Sequence, residues 1–393
     1  MVGSLSVLCA LVSSGKYALM ETALSEGNAA LTAGELNIKR WRNQVILHVG
    51  ALGRFIPPFI NFVREEFDRN EHQFWFVGAS EKYPVDLDEK VYLCGNGVLN
   101  RLKGYLRLVV QLHCSNKVML HGLFNTHILI ILALCPWVLK KCYWMIWGGD
   151  LYSHSKARNT LRAKAKEALR RFVISRIGHL VTYIEGDVEL ARQWYGAKGQ
   201  YHECLLYLSN VVEPSVLSPV QECCGTGVLR VLVGNSADPS NDHIPVLERL
   251  RSIDDANIFI YVPLSYGDER YARKIVEKGV EWFGDRFIPL TAYMPFQAYL
   301  DFLKGMDIAV FNHRRQQAMG NTITLLGMGK NVYMRTDVTQ WGFLNDLGLT
   351  LGDVDNFFPR KIDRTTACVN ADIIRAYFSR ITLKRQLSSI FER

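Results

Sequence analysis

The chain has 393 residues, 49% of them hydrophobic and 21% charged, which excludes a disordered or fibrous protein and indicates two domains of roughly 150–200 residues each. Nine scattered cysteines without a C-x-x-C pair argue against a disulfide framework and a zinc knuckle, and fit a reducing cytosol. The net charge is +8, and its basic excess is local: the segment from Arg101 to Arg176 contains 14 lysines and arginines but only two acidic residues, Asp150 and Glu167. Such a local excess indicates a polyanion or an anionic membrane surface as partner.

The beginning of the chain and its most apolar run predict no membrane span. Residues 1–40 show no periodic pattern, and we expect an N-terminal extension that is either disordered or an artefact of the start site. The most apolar stretch, Ile128–Leu139, has about half of the roughly 20 residues that a transmembrane helix needs, and Pro136 interrupts it.

Beyond this extension, short β-rich runs alternate with helical patterns along the whole chain. In the first half strands are predicted at Val45–Val49, Phe74–Val77, Val118–His121, Tyr143–Trp147, Leu180–Ile184 and Leu205–Leu208, and helices at Pro57–Phe67, Leu99–Leu112, Thr126–Leu134, Ser155–Ile177 and Asp187–Tyr195. In the second half strands are predicted at Leu229–Val233, Ile258–Val262, Ile308–Phe311 and Val332–Arg335, and helices at Ser240–Leu250, Glu269–Lys278, Pro295–Lys304 and Asn321–Met328.

Strands separated by helices predict an α/β fold with parallel sheets covered on both faces. Proline and glycine cluster at 212–226 without periodicity, so we predict a linker there between a domain of residues 41–212 and a domain of residues 227–393. Ligands of such folds bind beyond the carboxyl ends of the strands, so the turns at these ends are the candidate sites.

A glycine-marked turn follows the strand predicted at Leu229–Val233. Gly234 and small polar residues lead into a helix capped by Ser240 or Asn241. Backbone N–H groups of such a turn can approach a phosphate, and the helix N-terminus adds about 0.3–1 kcal/mol for an anion. The turn lacks the G-x-G-x-x-G pattern, which disfavours NAD. It is either a phosphate-binding turn or an ordinary capped βα turn.

A second junction of this kind follows the strand predicted at Ile308–Phe311. Two arginines and two glutamines precede Gly-Asn-Thr and a new helix; an arginine offers phosphate a planar fork, although a solvated loop has the same appearance. Because two such loops occur in one domain, we expect a nucleotide-diphosphate site. The candidate donor-binding residues are Gly234, Asn235, Ser236, Asn241, His243, Arg315, Gln316, Gln317, Gly320, Asn321 and Thr322.

Two residues of the first half are candidates for catalysis. Asp150 follows an apolar strand and two glycines, so it should stand at a strand's carboxyl end, where it would act as a general base or cap a helix. His121 ends another apolar strand and is the second candidate, with a structural role as the alternative.

The predicted helix Ser155–Ile177 is basic and amphipathic. Four of its cations are candidates for contact with an anionic leaflet, at about 1 kcal/mol per basic side chain near the surface: Arg158, Arg162, Lys166 and Arg170. The alternatives are a core-packed helix with a solvated face, or nucleic acid; the helix has no interleaved aromatics, so we predict no nucleic-acid partner.

No metal and no cofactor are predicted. The pairs Asp86-Leu-Asp88 and Asp353-Val-Asp355 have the spacing that metal-dependent sugar transferases use, but neither follows a convincing buried strand, and we interpret both as surface loop acids. No His/Cys/Asp cluster has metal-ligand spacing, and Walker, kinase and G-x-S-x-G patterns are missing.

From about Gln44 to Trp341 the chain resembles the bacterial TDP-N-acetylfucosamine:lipid II N-acetylfucosaminyltransferase family, also known as 4-α-L-fucosyltransferase or glycosyltransferase family 56. Short motifs in a specific order carry this resemblance. They are His121-Gly-Leu-Phe-Asn125, Trp147-Gly-Gly-Asp-Leu-Tyr152, Gly186-Asp187, Val233-Gly-Asn-Ser236 with Asp238, Ser240, Asn241 and His243-Ile244, Val262-Pro263 with Tyr266, Ala298-Tyr-Leu300, and Arg315-Gln-Gln317 with Gly320.

The resemblance implies a GT-B fold, in which two Rossmann-like parallel-sheet domains face an interdomain cleft. It implies that residues 227–393 bind the nucleotide sugar and that residues 41–212 face the acceptor and the membrane. The donor would be a TDP-sugar carrying a 4-acetamido-4,6-dideoxygalactose (Fuc4NAc)-type residue, and the acceptor an undecaprenyl-diphosphate-linked saccharide. The enzyme would act in enterobacterial common antigen or a related surface polysaccharide, as a peripheral protein at the cytoplasmic face of the bacterial inner membrane.

The expected reaction is glycosyl transfer without a metal. Amides at Gly234–Ser236 and Gly320–Thr322, together with Arg315, would stabilise the departing diphosphate. The alternatives are a GT-B enzyme for another nucleotide sugar, such as a UDP-sugar transferase or an epimerase, and a non-catalytic scaffold that binds sugar or lipid.

Overall fold

The computed structural model describes residues 45–81, 83–154, 160–213, 227–253 and 255–392. The chain forms two compact units. The first comprises residues up to Thr182 together with Val188–His202, and the second comprises Tyr183–Asp187 and Glu203–Glu392. The predicted extension 1–40 and most of the predicted linker lie outside the described residues.

The first unit is built on a seven-stranded sheet in the order β3-β2-β1-β4-β5-β6-β7. The strands are β1 Ile46–Ala51, β2 His72–Val77, β3 Val91–Cys94, β4 Lys117–His121, β5 Cys142–Met145, β6 His179–Thr182 and β7 Gln200–Glu203. The helices are α1 Ile56–Glu66, α2 Val98–Cys114, α3 Thr126–Leu134, α4 Leu161–Ile174 and α5 Glu185–Tyr195, of which the first three residues belong to the second unit. Helices α2, α3 and α4 bury Leu108, Leu132 and Val173 in the same core as Leu47 and Trp144 of the sheet.

The second unit contains a six-stranded sheet in the order β10-β9-β8-β11-β12-β13. Its strands are β8 Leu229–Val233, β9 Ile258–Pro263, β10 Phe287–Leu290, β11 Ile308–Phe311, β12 Asn331–Met334 and β13 Gly352–Asp353. Its helices are α6 His243–Ile253, α7 Glu269–Phe283, α8 Phe296–Lys304, α9 Met319–Gly327, α10 Thr339–Asp346, α11 Arg364–Tyr377 and α12 Arg380–Glu392. The central strands β8 and β11 are apolar because helices cover both faces.

The predicted α/β class with two Rossmann-like parallel-sheet domains is confirmed. The strand predicted at Leu205–Leu208 is wrong: Leu206 has a φ of 71°, and the amide of Leu205 bonds the side chain of Gln386 rather than a neighbouring strand. The edge strand Gln200–Glu203 lies just before it. Hydrophobic patterning did not predict this edge strand because its sequence is polar. It did not predict β3 because β3 has only four residues.

The second unit begins earlier in the chain than the predicted linker at 212–226. Residues 203–212 belong to it because they bond its carboxyl-terminal helices. Leu205 bonds Gln386 at 2.9 Å, and the amide of Val212 donates to the carbonyl of Phe378 at 2.8 Å. Within the described ranges, no helix has the length and apolarity needed to span a membrane.

Candidate functional site

The two glycine-marked turns of the second unit lie side by side. Strands β8 and β11 are neighbours in parallel register, with Val233 opposite Val310, so the turns that follow them leave the same edge of the sheet. The amide of Gly234 donates to the carbonyl of Val310 at 3.0 Å, which ties the start of one turn to the end of the other strand. The sequence prediction that these turns act together therefore has the geometry it requires.

The first turn needs glycine at position 234. Gly234 has a φ of 69°, and a Cβ there would lie 2.3 Å from Nε2 of His243 and 2.9 Å from Oδ1 of Asn241. Asn241 is buried and holds the turn closed: its Oδ1 accepts from the amide of Asn235 at 2.8 Å, and its Nδ2 donates to Oγ of Ser236 at 3.2 Å. Asn241 thus shapes the turn from within.

Side chains bridge the two turns directly. Gln317 accepts from Oγ of Ser240 at 2.8 Å and donates to Oδ1 of Asn235 at 3.0 Å. His313 is fully buried and contacts Oδ1 of Asn241 at 2.8 Å. The amide of Gln317 in turn donates to the buried side chain of Gln340 at 3.0 Å. Of the predicted residues, Asn235, Ser236, Asn241 and Gln317 thus belong to one hydrogen-bonded network that joins both turns.

The arginines of the second turn are paired unequally. Arg314 is exposed and makes an ion pair of 2.7 Å with Asp242. Arg315 is more buried and reaches Oδ2 of Asp238 only at 3.5 Å, with one further bond of 3.3 Å to the carbonyl of Gln316. The guanidinium of Arg315 therefore retains much of its capacity to bind an anion.

Helix α9 starts at the second turn without a capping side chain. Ala318 precedes it with a φ of 57°, and the first helical bond runs from the amide of Thr322 to the carbonyl of Ala318. The amides of Gly320 and Asn321 therefore belong to the first turn, where no intrahelical acceptor exists. The side chain of Asn321 donates to the hydroxyl of Tyr299 at 2.8 Å, which orients this end of the helix.

Unpaired buried polar atoms are concentrated at these two turns and at the starts of the helices that follow them. In the described part of the chain, six buried side-chain nitrogen or oxygen atoms have no hydrogen-bond partner, and four belong here: Nε2 of His243, Nδ1 of His313, Nε of Arg315 and Oγ1 of Thr322. A buried polar atom without a partner costs about 1–3 kcal/mol, so such a cluster indicates a place where a ligand completes the bonding.

The two buried histidines at these turns, His243 and His313, are neutral. Burial lowers the pKa of His243 to about 4. Burial, together with the neighbouring His243 and Arg315, lowers the pKa of His313 to about 3. Neutral imidazoles leave Arg315 as the cation of the network, and the field of α9 adds to it.

The amides expected to cradle a phosphate fall into two groups. Those of Gly234 and Asn235 donate within the protein, as described above. Those of Gly320 and Asn321 open helix α9.

Gln340 and Asp238 support the network but were not among the predicted site residues. Gln340 lies 23 positions beyond the turn it holds, and nothing in its own sequence context marks it.

Asp150 is fully buried in the first unit and already has four donors. Its Oδ2 accepts from the amide of Leu123 at 2.9 Å and from Nε1 of Trp144 at 2.7 Å. Its Oδ1 accepts from the amides of Trp147 and Leu151, each at 3.0 Å. Burial raises the pKa of Asp150 and these hydrogen bonds oppose the rise. This is the environment of a positioning group that joins two turns, and a role as base stays a prediction.

His121 is buried at the end of a chain of three histidines. Nε2 of His121 lies 3.0 Å from Nδ1 of His48, whose Nε2 lies 3.0 Å from Nδ1 of His72. Burial lowers the pKa of His121 to about 3 and that of His72 to about 4. A neutral imidazole with so low a pKa is a weak base, so the structure favours the structural alternative for His121, and its catalytic role also stays a prediction.

The predicted membrane-facing cations of helix α4 differ in exposure. Arg162 is exposed and Lys166 is half-buried, while Arg158 lies outside the described residues. Arg170 is buried and bonds Glu167 at 2.8 Å, so it does not face outward as predicted. At helical spacing, Arg170 falls on the stripe that packs against the sheet with Val173 and Ile174.

One aspartate of each D-x-D pair accepts from a donor of the protein. Asp88 pairs with Arg64 at 2.6 Å, and Asp353 accepts from the amide of Asp355 at 2.9 Å. Over the described ranges, no group of three or more His, Cys, Asp or Glu side chains could hold a metal ion.

Solved structures similar to this chain share its two-sheet architecture. Anabaena HepE in complex with UDP and glucose is 12% identical, with a TM-score of 0.60, over 89% of this chain and 99% of that one. WaaG, a glycosyltransferase involved in lipopolysaccharide biosynthesis, is 10% identical with a TM-score of 0.54, over 88% and 99%. Sucrose-phosphate synthase from Thermosynechococcus elongatus is 10% identical with a TM-score of 0.56, over 88% and 98%. The fold is that of the GT-B glycosyltransferases.

The family profile for 4-alpha-L-fucosyltransferase, glycosyl transferase group 56, matches residues 63–363. The chain therefore belongs to this family, as its sequence motifs predict, and is a glycosyltransferase.

Proposed function

We propose that the protein transfers a Fuc4NAc-type sugar from a TDP-sugar to an undecaprenyl-diphosphate-linked saccharide, in the synthesis of enterobacterial common antigen or a related surface polysaccharide. The membership of the family supports the type of reaction. The donor, acceptor and pathway come from the motifs that resemble the N-acetylfucosaminyltransferases. The basic first half of the chain supports a peripheral position at the cytoplasmic face of the inner membrane.

The observation that carries the donor site is the cluster of unpaired polar atoms between the two turns of the second unit. Nε of Arg315 and Oγ1 of Thr322 are buried without partners, next to the first turn of α9. Phosphate oxygens would accept from these donors and from the amides of Gly320 and Asn321. We assign the diphosphate to this place.

The proposed chemistry is stabilisation of the leaving diphosphate. Negative charge develops on it as the sugar–phosphate bond breaks, and donors that are already oriented lower the barrier without reorganising. Loss of one such donor raises a barrier by about 3–4 kcal/mol. On the acceptor side we assign Asp150 a positioning role, because it joins the turn before α3 to the turn after β5.

Arg315 and Thr322 are the two side chains that we assign to the diphosphate. Replacing Arg315 with Gln, or Thr322 with Val, should weaken TDP binding about tenfold or more, because each change removes a donor from the diphosphate. Calorimetry with TDP measures this. Arg314→Gln is the matched control: Arg314 is exposed and paired with Asp242, so its loss should leave the affinity nearly unchanged.

The identity of the sugar donor and of the acceptor is tested by analysing the reaction products. The purified protein is incubated with TDP- and UDP-sugars and a short-chain lipid-linked acceptor, and the products are read by mass. Transfer from a UDP-sugar alone would contradict the TDP assignment and favour the second candidate, a UDP-sugar transferase; the HepE structures that resemble this chain contain UDP and UDP-glucose. An isomerised free nucleotide sugar would indicate an epimerase, and binding of neither nucleotide would favour a non-catalytic scaffold.

A further inference from the structure

Helix α2 begins with an apolar tip that is exposed to solvent. Val98, Leu99 and Leu102 are 85%, 73% and 43% exposed. Leu102 lies three positions after Leu99 and four after Val98, the spacings at which side chains are neighbours on a helix surface, so the three form a patch, which we call the apolar tip. Single exposed aliphatic residues are ordinary, but three on one turn mark an interaction surface.

The tip is the part of α2 that precedes its packing against the sheet. The helix starts after Gly97, whose φ of 96° allows the sharp turn from β3. All residues from Gly95 to Lys103 are exposed. Burial begins at Gly104, whose carbonyl accepts from Nε1 of Trp75 at 3.1 Å, and continues at Leu108.

Cations and no carboxylates surround the tip in sequence. Arg101 and Lys103 are exposed within the same two turns. Between Glu89 and Glu167 the only acidic residue is Asp150, which is fully buried. Of the residues 90–166 that the structure describes, none exposes a carboxylate, so the charge that this segment exposes is positive. Its charge complements an anionic surface.

The same edge of the sheet carries further exposed apolar groups. The steps from β3 to β4, β4 to β5 and β5 to β6 run in one direction along the sheet, so right-handed connections place α2, α3 and α4 on one face with their starts at the carboxyl edge. Phe124, just before α3, is 40% exposed, and Leu161, the first residue of α4, is 87% exposed. The exposed Arg162 follows it.

We propose that the apolar tip inserts into the interfacial region of an anionic lipid bilayer, with Arg101 and Lys103 at the level of the headgroups. Aliphatic side chains bury in the acyl boundary while cations contact anionic lipid, a combination that holds helices at membrane surfaces. The start of α2, at the carboxyl end of β3, then faces the membrane. The inference deepens the proposed function, since it rests on an acceptor that is lipid-linked, and it moves the main contact from α4 to the start of α2.

The test is co-sedimentation of the full chain with vesicles of phosphatidylglycerol and phosphatidylethanolamine, and with neutral phosphatidylcholine vesicles. The variant Val98→Ser, Leu99→Ser, Leu102→Ser should bind the anionic vesicles at least about tenfold less, because it removes the inserted area. Arg101→Gln and Lys103→Gln should each reduce binding about fivefold on anionic vesicles alone. Ile381→Ser is the matched control: Ile381 is 79% exposed on α12, and its replacement should change nothing.

Wild-type vesicle binding by the triple serine variant would overturn the inference. So would an altered oligomeric state in size-exclusion chromatography with vesicle binding preserved, since the tip would then be a protein interface. The vesicles contain no lipid-linked saccharide, and TDP binding is measured on the same samples. If the protein binds TDP but the serine substitutions in the tip do not change vesicle binding, only the inference is refuted. If vesicle binding depends on the tip but the protein binds neither TDP nor UDP, only the proposed function is refuted.

Discussion

Asp150 shows how burial changes the role of a residue that its sequence context marks as reactive. Its position after an apolar strand and two glycines suits a general base. In the fold its side chain is fully buried, and its two carboxylate oxygens accept from N–H groups of Leu123, Trp144, Trp147 and Leu151. A carboxylate with four donors supports the backbone around it.

Replacing Asp150 with Asn should therefore lower the free energy of unfolding by about 2–4 kcal/mol, because the new NH₂ group faces two N–H donors that lose their acceptor. Urea unfolding measures the change. Asp268→Asn is the control: Asp268 caps α7 by accepting from the amide of Tyr271, and Asn caps a helix equally well. Wild-type stability of the Asp150 variant with abolished transfer would favour the role of base instead.

At the scale of elements, the turn between β8 and α6 depends on a close approach of its backbone to His243. The positive φ of Gly234 and the absence of a Cβ permit this approach. The conformation of this turn sets the positions of Asn235 and Ser240, and Gln317 joins both of them to the start of α9.

Gly234→Ala should distort this turn and weaken TDP binding about tenfold or more. The left-handed backbone costs an alanine about 1–2 kcal/mol, and its Cβ would meet the His243 ring. Calorimetry with TDP is the measurement. Gly342→Ala in α10 is the control: no atom lies within 4 Å of the added Cβ, and alanine stabilises a helix by about 0.5–1 kcal/mol. Equal affinities for both variants would show that the turn tolerates a side chain.

For the whole molecule, buried neutral histidines couple folding to pH. Burial, with contributions from His72 and His121, holds the pKa of His48 well below its ordinary value of 6.5, and the pKa values of His243 and His313 are lowered as well. As the pH falls below about 6.5, the unfolded chain takes up protons that the folded chain refuses. The contribution of these histidines to the free energy of unfolding is therefore present above pH 6.5 and is lost as the pH falls toward their pKa values in the folded state.

His48→Phe should reduce this dependence. Each such histidine accounts for a loss of about 2 kcal/mol between pH 7 and pH 5, so the variant should lose about that much less than the wild type. Its stability at pH 7 should fall by about 1–3 kcal/mol, because the contacts from His72 and His121 to His48 disappear. Urea unfolding at both pH values tests this, and identical losses in both proteins would refute it.

The sequence by itself determined the alternation of strands and helices, the family, and the two glycine-marked turns, because hydrophobic periodicity and turn residues are local properties. It found the ends of β8 and β11, and the parallel register then brought Gly234 and Arg315 into one network. It did not find Gln340, the chain His72–His48–His121 or the polar edge strand Gln200–Glu203.

Only the tertiary structure decided which charged side chains are available. Arg162 and Arg170 are eight positions apart on one helix, yet one is exposed and the other is buried beside Glu167. Asp150 is enclosed by four donors, while Arg315 keeps an unpaired Nε. Burial and pairing depend on residues distant in the chain, and these set whether a charged group supports the fold or is free to bind a ligand.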